Sequence, residues 1–231
     1  MLKIKWIGQG GYLLTDEKNE ICIDPYLSDV VNRIAGRPRM IEAPLTPDAI
    51  KSDIVVCTHN HLDHVDIDAI PLMNKDNILF LAPTDAKHTL FECGVKNYKA
   101  FDEGDSTEIG KFRLRAIFAD HSIPAIGVIV EHGGVRMYFS GDTEYNEKLE
   151  ELKKYNIDIM FICINGKLGN MSVDEAIKLT KIIKPKVGVP AHYGMFESNT
   201  ENPQKYTSKI DCGFEMEYAR EYTVEEVIAG V

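Results

Sequence analysis

The chain has 231 residues, 44% of them hydrophobic and 27% charged, as is typical of one globular domain. Its formal net charge of −10 argues against nonspecific binding to DNA, RNA or an anionic membrane. No apolar run reaches the length of a membrane span, the N-terminal residues lack a signal-peptide core, and no two cysteines have metal-ligand spacing. We therefore expect a single domain over residues 1–231 in the cytoplasm, with reduced thiols and with neither a membrane nor a nucleic acid as its partner.

Short strands dominate the first part of the chain, and strands alternate with helices in the second part. We predict strands in three pieces within residues 2–25, and then at 52–58, 78–82, 107–109, 112–118, 127–130, 135–139, 158–164, 186–190 and 222–224. We predict helices at 66–73, 83–93 with Thr84 as N-cap, 144–155, 173–183 with a Ser172–Glu175 capping box, and from about residue 203. The turn Gly133-Gly134 should leave His132 exposed. This order predicts two layers of sheet covered by helices.

Three of the seven histidines lie in the stretch Thr58-His59-Asn60-His61-Leu62-Asp63-His64. Several imidazoles and a carboxylate are costly to bury together without a partner, and both are good ligands for divalent metal ions. His59 and His61 are two residues apart, which suits a strand end or a tight turn. Because the stretch directly follows a predicted apolar strand, we interpret it as a metal site on a strand-end loop rather than as a plain polar loop.

Single polar residues after other predicted strands extend this candidate site. They are His121, Asp142 and His192. Each alone is more simply explained as structural, but with the ligands in residues 59–64 they make seven, enough for two ions if the strand ends converge. Asp24 also ends a strand; it is either a capping residue in a turn or a group that orients a metal-binding histidine from behind.

The motif His59-x-His61-x-Asp63-His64, followed by His121, Gly141-Asp142-Thr143 and His192, resembles that of the metallo-β-lactamase superfamily. Asp24 is similar to the first motif of that family. The resemblance covers nearly the whole chain and implies an α+β fold, a four-layer αββα sandwich with a dinuclear site at one edge. It also implies how the ligands divide: His59, His61 and His121 on one ion, Asp63, His64 and His192 on the other, and Asp142 bridging.

The C-terminal part contains the motifs Ile164-Asn165-Gly166-Lys167, Gly169-Asn170-Met171 and His192-Tyr193-Gly194-Met195-Phe196, followed by Asn199-Thr200-Glu201-Asn202-Pro203. With Asp24-Pro25-Tyr26-Leu27-Ser28 near the N-terminus, these resemble the L-ascorbate-6-phosphate lactonase subfamily. The resemblance implies a cytoplasmic, metal-dependent homo-oligomer that acts on a small phosphorylated substrate.

Imidazole and carboxylate ligands suit zinc, manganese or iron, so the two divalent ions could be any of these. Such a pair would generate a bridging hydroxide able to attack a lactone carbonyl, with Asp63 and Asp142 in the catalytic centre. Two ions, two carboxylates and a hydroxide leave a local charge of roughly +1, which favours an anionic substrate. The alternatives are a phosphodiesterase or nuclease of the same fold and a non-catalytic metal-binding protein.

Candidate substrate-binding residues lie in loops near these strand ends. Asn165 and Tyr193 are candidates for stabilising charge, and Tyr193 and Lys167 for binding substrate. The irregular segment 26–47 is long for a connection, and its three arginines could grip a phosphate. They are Arg33, Arg37 and Arg39. A solvated loop explains these arginines and Lys167 equally well.

Overall fold

The computed structural model describes residues 1–231, which form thirteen strands and five α-helices. The strands are β1 (Lys3–Gly8), β2 (Gly11–Thr15), β3 (Glu20–Ile23), β4 (Ile54–Val56), β5 (Leu79–Ala82), β6 (Tyr98–Ala100), β7 (Ser106–Ile109), β8 (Phe112–Phe118), β9 (Ile126–His132), β10 (Val135–Phe139), β11 (Ile159–Cys163), β12 (Val187–Ala191) and β13 (Glu221–Thr223). The helices are α1 (Val30–Ala35), α2 (Lys87–Glu92), α3 (Val173–Ile183), α4 (Gln204–Thr207) and α5 (Val224–Ala229). None of them is long and apolar enough to cross a membrane.

The strands form two mixed sheets that pack face to face and are joined at one edge of the sandwich. The first sheet has the order β13-β1-β2-β3-β4-β5-β6, and the second has the order β12-β11-β10-β9-β8-β7. Strands β3 to β6 are parallel to one another, as are β10, β11 and β12. A backbone bridge between His59 and Ala125 joins the loop after β4 to the start of β9. Loops after the parallel strands of both sheets therefore gather at the shared edge.

The four-layer arrangement follows from which strand faces are apolar. A cluster of 44 buried residues spans the space between the sheets, where the rings of Phe139 and Phe161 are stacked 4.5 Å apart, and continues under the helices that cover the second sheet. A second cluster of 17 buried residues includes Phe80 on the outer face of the first sheet and Leu90 on α2. Helix α3 covers the second sheet through buried residues that include Leu179. The predicted α+β fold with αββα layers is confirmed.

Helix α3 begins as its sequence predicts. The Ser172 side chain accepts from the N–H of Glu175, and the Glu175 carboxylate accepts from the N–H of Ser172, which completes the capping box. The helix ends at Lys184, which adopts the left-handed conformation. This element holds the end of the loop that follows β11.

Three helix predictions are wrong in kind or extent. Residues 66–73 contain only a short 3-10 helix at Ile70–Leu72, since the Asp66 carboxylate accepts from backbone N–H groups of its own turn and of residues 27 and 28. Residues 84–86 form a 3-10 turn before α2, and Thr84 donates to Asp102 instead of capping the helix. The segment predicted at 144–155 is a 3-10 helix over Glu147–Tyr155, capped by Asn146. Residues 26–47 are not wholly irregular, since they contain α1, and neither α1 nor the final helix α5 is predicted from the sequence.

His132 does not stand exposed at the tip of its hairpin. Its side chain is only 10% exposed, its ring lies 4.6 Å from that of Phe112, and its Nε2 lies 2.9 Å from Oδ2 of Asp16. The β2–β3 turn reaches over from the first sheet and covers it. This contact joins the two sheets through a polar pair.

Candidate metal centre

The first group of ligand atoms consists of three imidazole nitrogens. Nε2 of His59 lies 2.9 Å from Nδ1 of His61, which lies 3.2 Å from Nε2 of His121. His59 is fully buried, whereas the other two are partly exposed toward the opening of the site. The loops after β4 and β8 supply these residues. Three strand-end side chains therefore converge on one point.

The second group joins Asp63, His64 and His192. Oδ2 of Asp63 lies 3.7 Å from Nε2 of His64 and 3.5 Å from Nε2 of His192. Asp142, directly after β10, stands between the two groups. Its Oδ1 lies 3.0 Å from Nε2 of His192, and its Oδ2 lies 3.9 Å from Nε2 of His59. All seven predicted ligands are thus brought together as two adjoining groups.

Polar groups behind the centre fix the orientation of these ligands. Asp24 is fully buried; Nδ1 of His64 donates to its Oδ2 at 2.7 Å, and Thr58 donates to both of its oxygens. Nδ1 of His121 donates to the carbonyl of Gly169 at 2.9 Å. Asn170 donates to Oδ2 of Asp142 at 3.0 Å. Asp24 is expected either to cap a turn or to orient a histidine, and the structure places it where it orients a histidine.

Several residues of the centre have strained backbone. Gln9, Asp24 and His192 have φ values of 52°, 42° and 60°. These values lie in the left-handed region that residues other than glycine rarely adopt. Gly141, just before Asp142, has φ of 56°, and a Cβ there would meet Thr58 at 3.0 Å. Such strain costs about 1–3 kcal/mol per residue and is concentrated at functional sites. The fold thus holds these side chains in positions that relaxed strand ends would not reach.

Burial and the carboxylates have opposite effects on the imidazoles. Burial lowers the pKa of His59 well below 6.5, and His64 adds to this effect. Burial also lowers the pKa of His192, but Asp142 outweighs it and raises that pKa to about 9. In the same way Asp24 raises the pKa of His64 above its usual range, against burial. The second group therefore attracts positive charge, and His59 of the first group presents neutral imidazole, the form that binds metal.

These donor atoms fit divalent metal ions. A neutral imidazole has one donor and one acceptor nitrogen. The three facing nitrogens of the first group therefore have too few protons to satisfy one another by hydrogen bonds. In the second group, Nε2 of His64 and Oδ1 of Asp142 are buried 3.3 Å apart, and Oδ1 lies 3.0 Å from Nε2 of His192, yet neither atom forms a well-aligned hydrogen bond. Each such atom costs about 1–3 kcal/mol unless a bound ion compensates it. The nitrogen and oxygen donors suit zinc, manganese or iron.

A cavity of about 440 Å³ opens above the centre. Its floor includes His61, Asp63, Asp142 and His192. Apolar walls are formed by Val31 and Ala35 on α1 and by Leu62, Leu168 and Phe196 on loops. Polar lining comes from Arg37, Ser122 and Asn199. The cavity therefore offers a small molecule one guanidinium group and several apolar contacts directly above the candidate ligands.

The three predicted phosphate-binding arginines have different positions. Arg33 forms a two-pronged ion pair with Asp68 on the surface, at 2.6 and 2.8 Å. Arg39 donates to the backbone carbonyls of residues 26, 28 and 41, and so braces the loop. Arg37 is exposed, has neither an ion pair nor a hydrogen bond in the protein, and lines the cavity. Of the three arginines, only Arg37 lines the cavity.

Three further predicted residues lie outside the cavity. Tyr193 is buried against Trp6, with ring centroids 4.9 Å apart, because the strained His192 turns the next side chain into the core. Asn165 donates to Asn199 at 2.8 Å and supports the cavity wall from behind. Lys167 donates to the carbonyl of residue 198 and lines a separate groove of about 900 Å³. This placement argues against direct catalytic or substrate-binding roles for these three.

Sequence reasoning missed three residues that contact the ligands. Gln9 donates to Oδ2 of Asp63 at 2.8 Å, Thr58 bridges Asp24 and the histidines, and Asn170 holds Asp142. Gln9 lies in the turn Gly8-Gln9-Gly10-Gly11, and its residue type is not by itself typical of a metal centre. The flanking glycines are themselves the signal, because they mark a chain that must bend tightly.

Comparison with known proteins agrees with this geometry. Residues 3–192 match the family model described as a β-lactamase superfamily domain. A UPF0173 protein of Pyrococcus furiosus is 30% identical over 212 residues, and a UPF0173 metal-dependent hydrolase of Archaeoglobus fulgidus is 27% identical over 224; each match covers 90% of both chains. Igni18, a metallo hydrolase from Ignicoccus hospitalis, shares the fold with a TM-score of 0.78 at 22% identity, over 96% of this chain and 97% of that one. The chain belongs to the metallo-β-lactamase superfamily and is a metal-dependent hydrolase.

Proposed function

We propose that the chain is a dinuclear hydrolase that opens the lactone ring of a small phosphorylated sugar acid, as the L-ascorbate-6-phosphate lactonases do. One observation carries this proposal. Two groups of ligand atoms meet at Asp142 beneath a small cavity whose only arginine or lysine is the unpaired Arg37. A substrate could place its reacting ester on the cavity floor, beside the ligand groups, and its anionic group at the rim, beside Arg37. Such a substrate would use both features of the site.

The chain's own residues prepare the floor of the cavity. When bound, divalent ions supply a water of lowered pKa and positive charge for a developing oxyanion. Burial raises the pKa of Asp63 and Asp142, but the imidazoles of His64 and His192 outweigh it and hold both values below their usual range. Both carboxylates therefore stay ionised near neutral pH. They act as charged ligands and not as proton donors.

The walls of the cavity determine what it can hold. Its volume of about 440 Å³ suits a small molecule. Arg37 can bind a phosphate through two parallel N–H groups, a geometry in which guanidinium is stronger than ammonium. Ser122 and Asn199 offer hydrogen bonds to substrate hydroxyls, and Val31 and Phe196 exclude water from the ring face. A compact sugar lactone with one phosphate matches this lining.

The cellular setting that we propose is cytoplasmic. All five cysteines are free, and four of them are buried, as suits a protein that keeps its thiols reduced. Assembly into a homo-oligomer also remains part of the proposal. With a net charge of −10 and a single arginine at the cavity, the chain offers little to a nucleic acid.

A hydrolysis screen of the purified protein tests this function. It compares phosphorylated sugar lactones, the same lactones without phosphate, and bis-p-nitrophenyl phosphate, each with added Mn²⁺ or Zn²⁺. We expect ring opening of the phosphorylated lactones, and its loss in His61→Ala and after chelation. Activity on the phosphodiester alone would support a phosphodiesterase instead. Purified protein that holds no metal and hydrolyses nothing would point to a non-catalytic role.

A further inference from the structure

Gln9 lies at the metal centre, although it is neither histidine nor carboxylate. Its side chain is fully buried. The amide nitrogen lies 2.8 Å from Oδ2 of Asp63 and 3.0 Å from Nε2 of His192. Both are ligand atoms of the second group. The tip of Gln9 therefore reaches the space that Asp63, His64 and His192 surround.

The other tip atom of this amide is unsatisfied. Oε1 of Gln9 is buried and has no hydrogen-bond partner. A buried acceptor without a partner costs about 1–3 kcal/mol. An oxygen atom lacking a donor can be satisfied by a donor or by a cation. In this part of the molecule Asp63, His64 and His192 form a group whose ligand atoms lie close enough together to hold a cation.

The backbone of Gln9 is held in place to aim this side chain. Its φ is 52°, a conformation that glycine adopts freely and glutamine does not. Trp6 donates from Nε1 to the Gln9 carbonyl at 3.1 Å, and the N–H of His192 donates to the same carbonyl at 3.3 Å. Gly8 and Gly10 flank the residue, so the turn is already rich in glycine. A side chain kept at such a position indicates a need for that side chain.

We propose that the amide oxygen of Gln9 is a further ligand of the divalent ion held by Asp63, His64 and His192. The inference rests on the proposed dinuclear centre. The nitrogen of this amide now faces Asp63 and His192, and a half-turn about the last side-chain bond would bring the unpartnered oxygen to face them instead, since the two atoms are alike in size. An ion bound by Asp63 and His192 uses the lone pairs that the N–H group of Gln9 otherwise faces. The amide oxygen of Gln9 is then the favoured atom on that side. Carbonyl oxygen is a ligand that suits Mn²⁺.

The test counts bound ions in variants of Gln9 and does not depend on activity. Wild-type protein, Gln9→Leu and Gln9→Glu are loaded with Mn²⁺, dialysed against graded chelator and analysed for metal per chain. We expect about two ions in the wild type and in Gln9→Glu, whose carboxylate keeps an oxygen, and about one ion in Gln9→Leu, with at least a tenfold loss of affinity for the second. Asn199→Leu removes another buried amide from the cavity wall and should keep both ions.

Each result bears on the inference. Two tightly held ions in Gln9→Leu would overturn it, and so would loss of the second ion in both Gln9 variants, because the N–H group would then be the part that matters. One ion in the wild type would instead overturn the dinuclear centre itself. Unfolding temperatures measured with chelator check that the fold is intact, and Gln9→Met replaces Gln9→Leu should the latter fail to fold.

Discussion

Oδ2 of Asp24 lies 2.7 Å from Nδ1 of His64, and both side chains are fully buried. The two residues are 40 positions apart in the chain and come from loops after neighbouring parallel strands. Because Asp24 holds Nδ1, the proton of His64 stays on that nitrogen and Nε2 faces the centre. The carboxylate thus determines which atom of His64 is offered to a metal ion.

Replacing Asp24 should weaken metal binding without removing a ligand. We expect Asp24→Ala to lower metal affinity about 10- to 100-fold, the usual effect of losing such an orienting group. Asp24→Asn keeps the shape but not the charge and should fall in between. Chelator competition measures the affinities, and Asp16→Asn, far from the centre, serves as the control. Metal affinity equal to wild type in Asp24→Ala would rule out the orienting role.

Asp142 should be the most damaging single ligand to lose. Its two oxygens face different groups, 3.0 Å from His192 and 3.9 Å from His59. We expect Asp142→Ala to lose both ions and to reduce hydrolysis at least about 1,000-fold, comparable with losing a major transition-state contact. His121→Ala, which removes one nitrogen from the first group alone, should keep one ion. Metal analysis of both variants decides, since equal metal content in the two would contradict the bridging position.

Arg37 should control substrate affinity rather than the chemical step. We expect Arg37→Met to raise KM for a phosphorylated substrate about 10- to 100-fold, the value of a charged hydrogen-bonded pair, while kcat changes little. The same substrate without phosphate should be hydrolysed as by wild type. Arg33→Met, which breaks the surface pair with Asp68, is the matched control. Equal changes of KM for the substrate with phosphate and the substrate without it would show that Arg37 does not bind the phosphate.

The Asp16–His132 contact should make stability depend on acid pH. Burial opposes the charge of Asp16, but the N–H groups of Lys18 and Asn19, together with His132, outweigh it and lower its pKa from 3.8 to about 2. A depressed pKa in the folded state contributes stability above pH 4 and loses it as the pH falls toward 2.

Asp16→Asn should therefore lower the free energy of unfolding at pH 7 by about 1–2 kcal/mol. The difference from wild type should shrink between pH 4 and pH 2, because protonated aspartic acid is then as uncharged as asparagine. Urea unfolding of metal-free protein at a series of pH values measures it. A difference that stays constant down to pH 2 would mean that the charge of Asp16 does not stabilise the fold.

Much of the candidate site could be predicted from residue types and their order. His59, His61, Asp63 and His64 are close in the chain, and strands that run parallel must end at one edge, so the later ligands had to approach them. The αββα layers follow similarly from strands that are apolar on both faces. Local helix type could not be read in this way. Asp66 and Thr84 have side-chain partners distant in sequence, which replace helical hydrogen bonds.

The sequence by itself determined that the chain carries ligands for metal ions, because imidazoles and carboxylates at strand ends keep their chemistry in any loop conformation. Tertiary structure alone decided which of three arginines faces the cavity, that Tyr193 turns inward, and that Gln9 reaches the ligands. Those outcomes depend on contacts such as Arg39 to the carbonyl of residue 26 and Gln9 to Asp63, 54 positions away. The direction of a loop side chain is set by such distant partners and by strained backbone, neither of which leaves a local pattern.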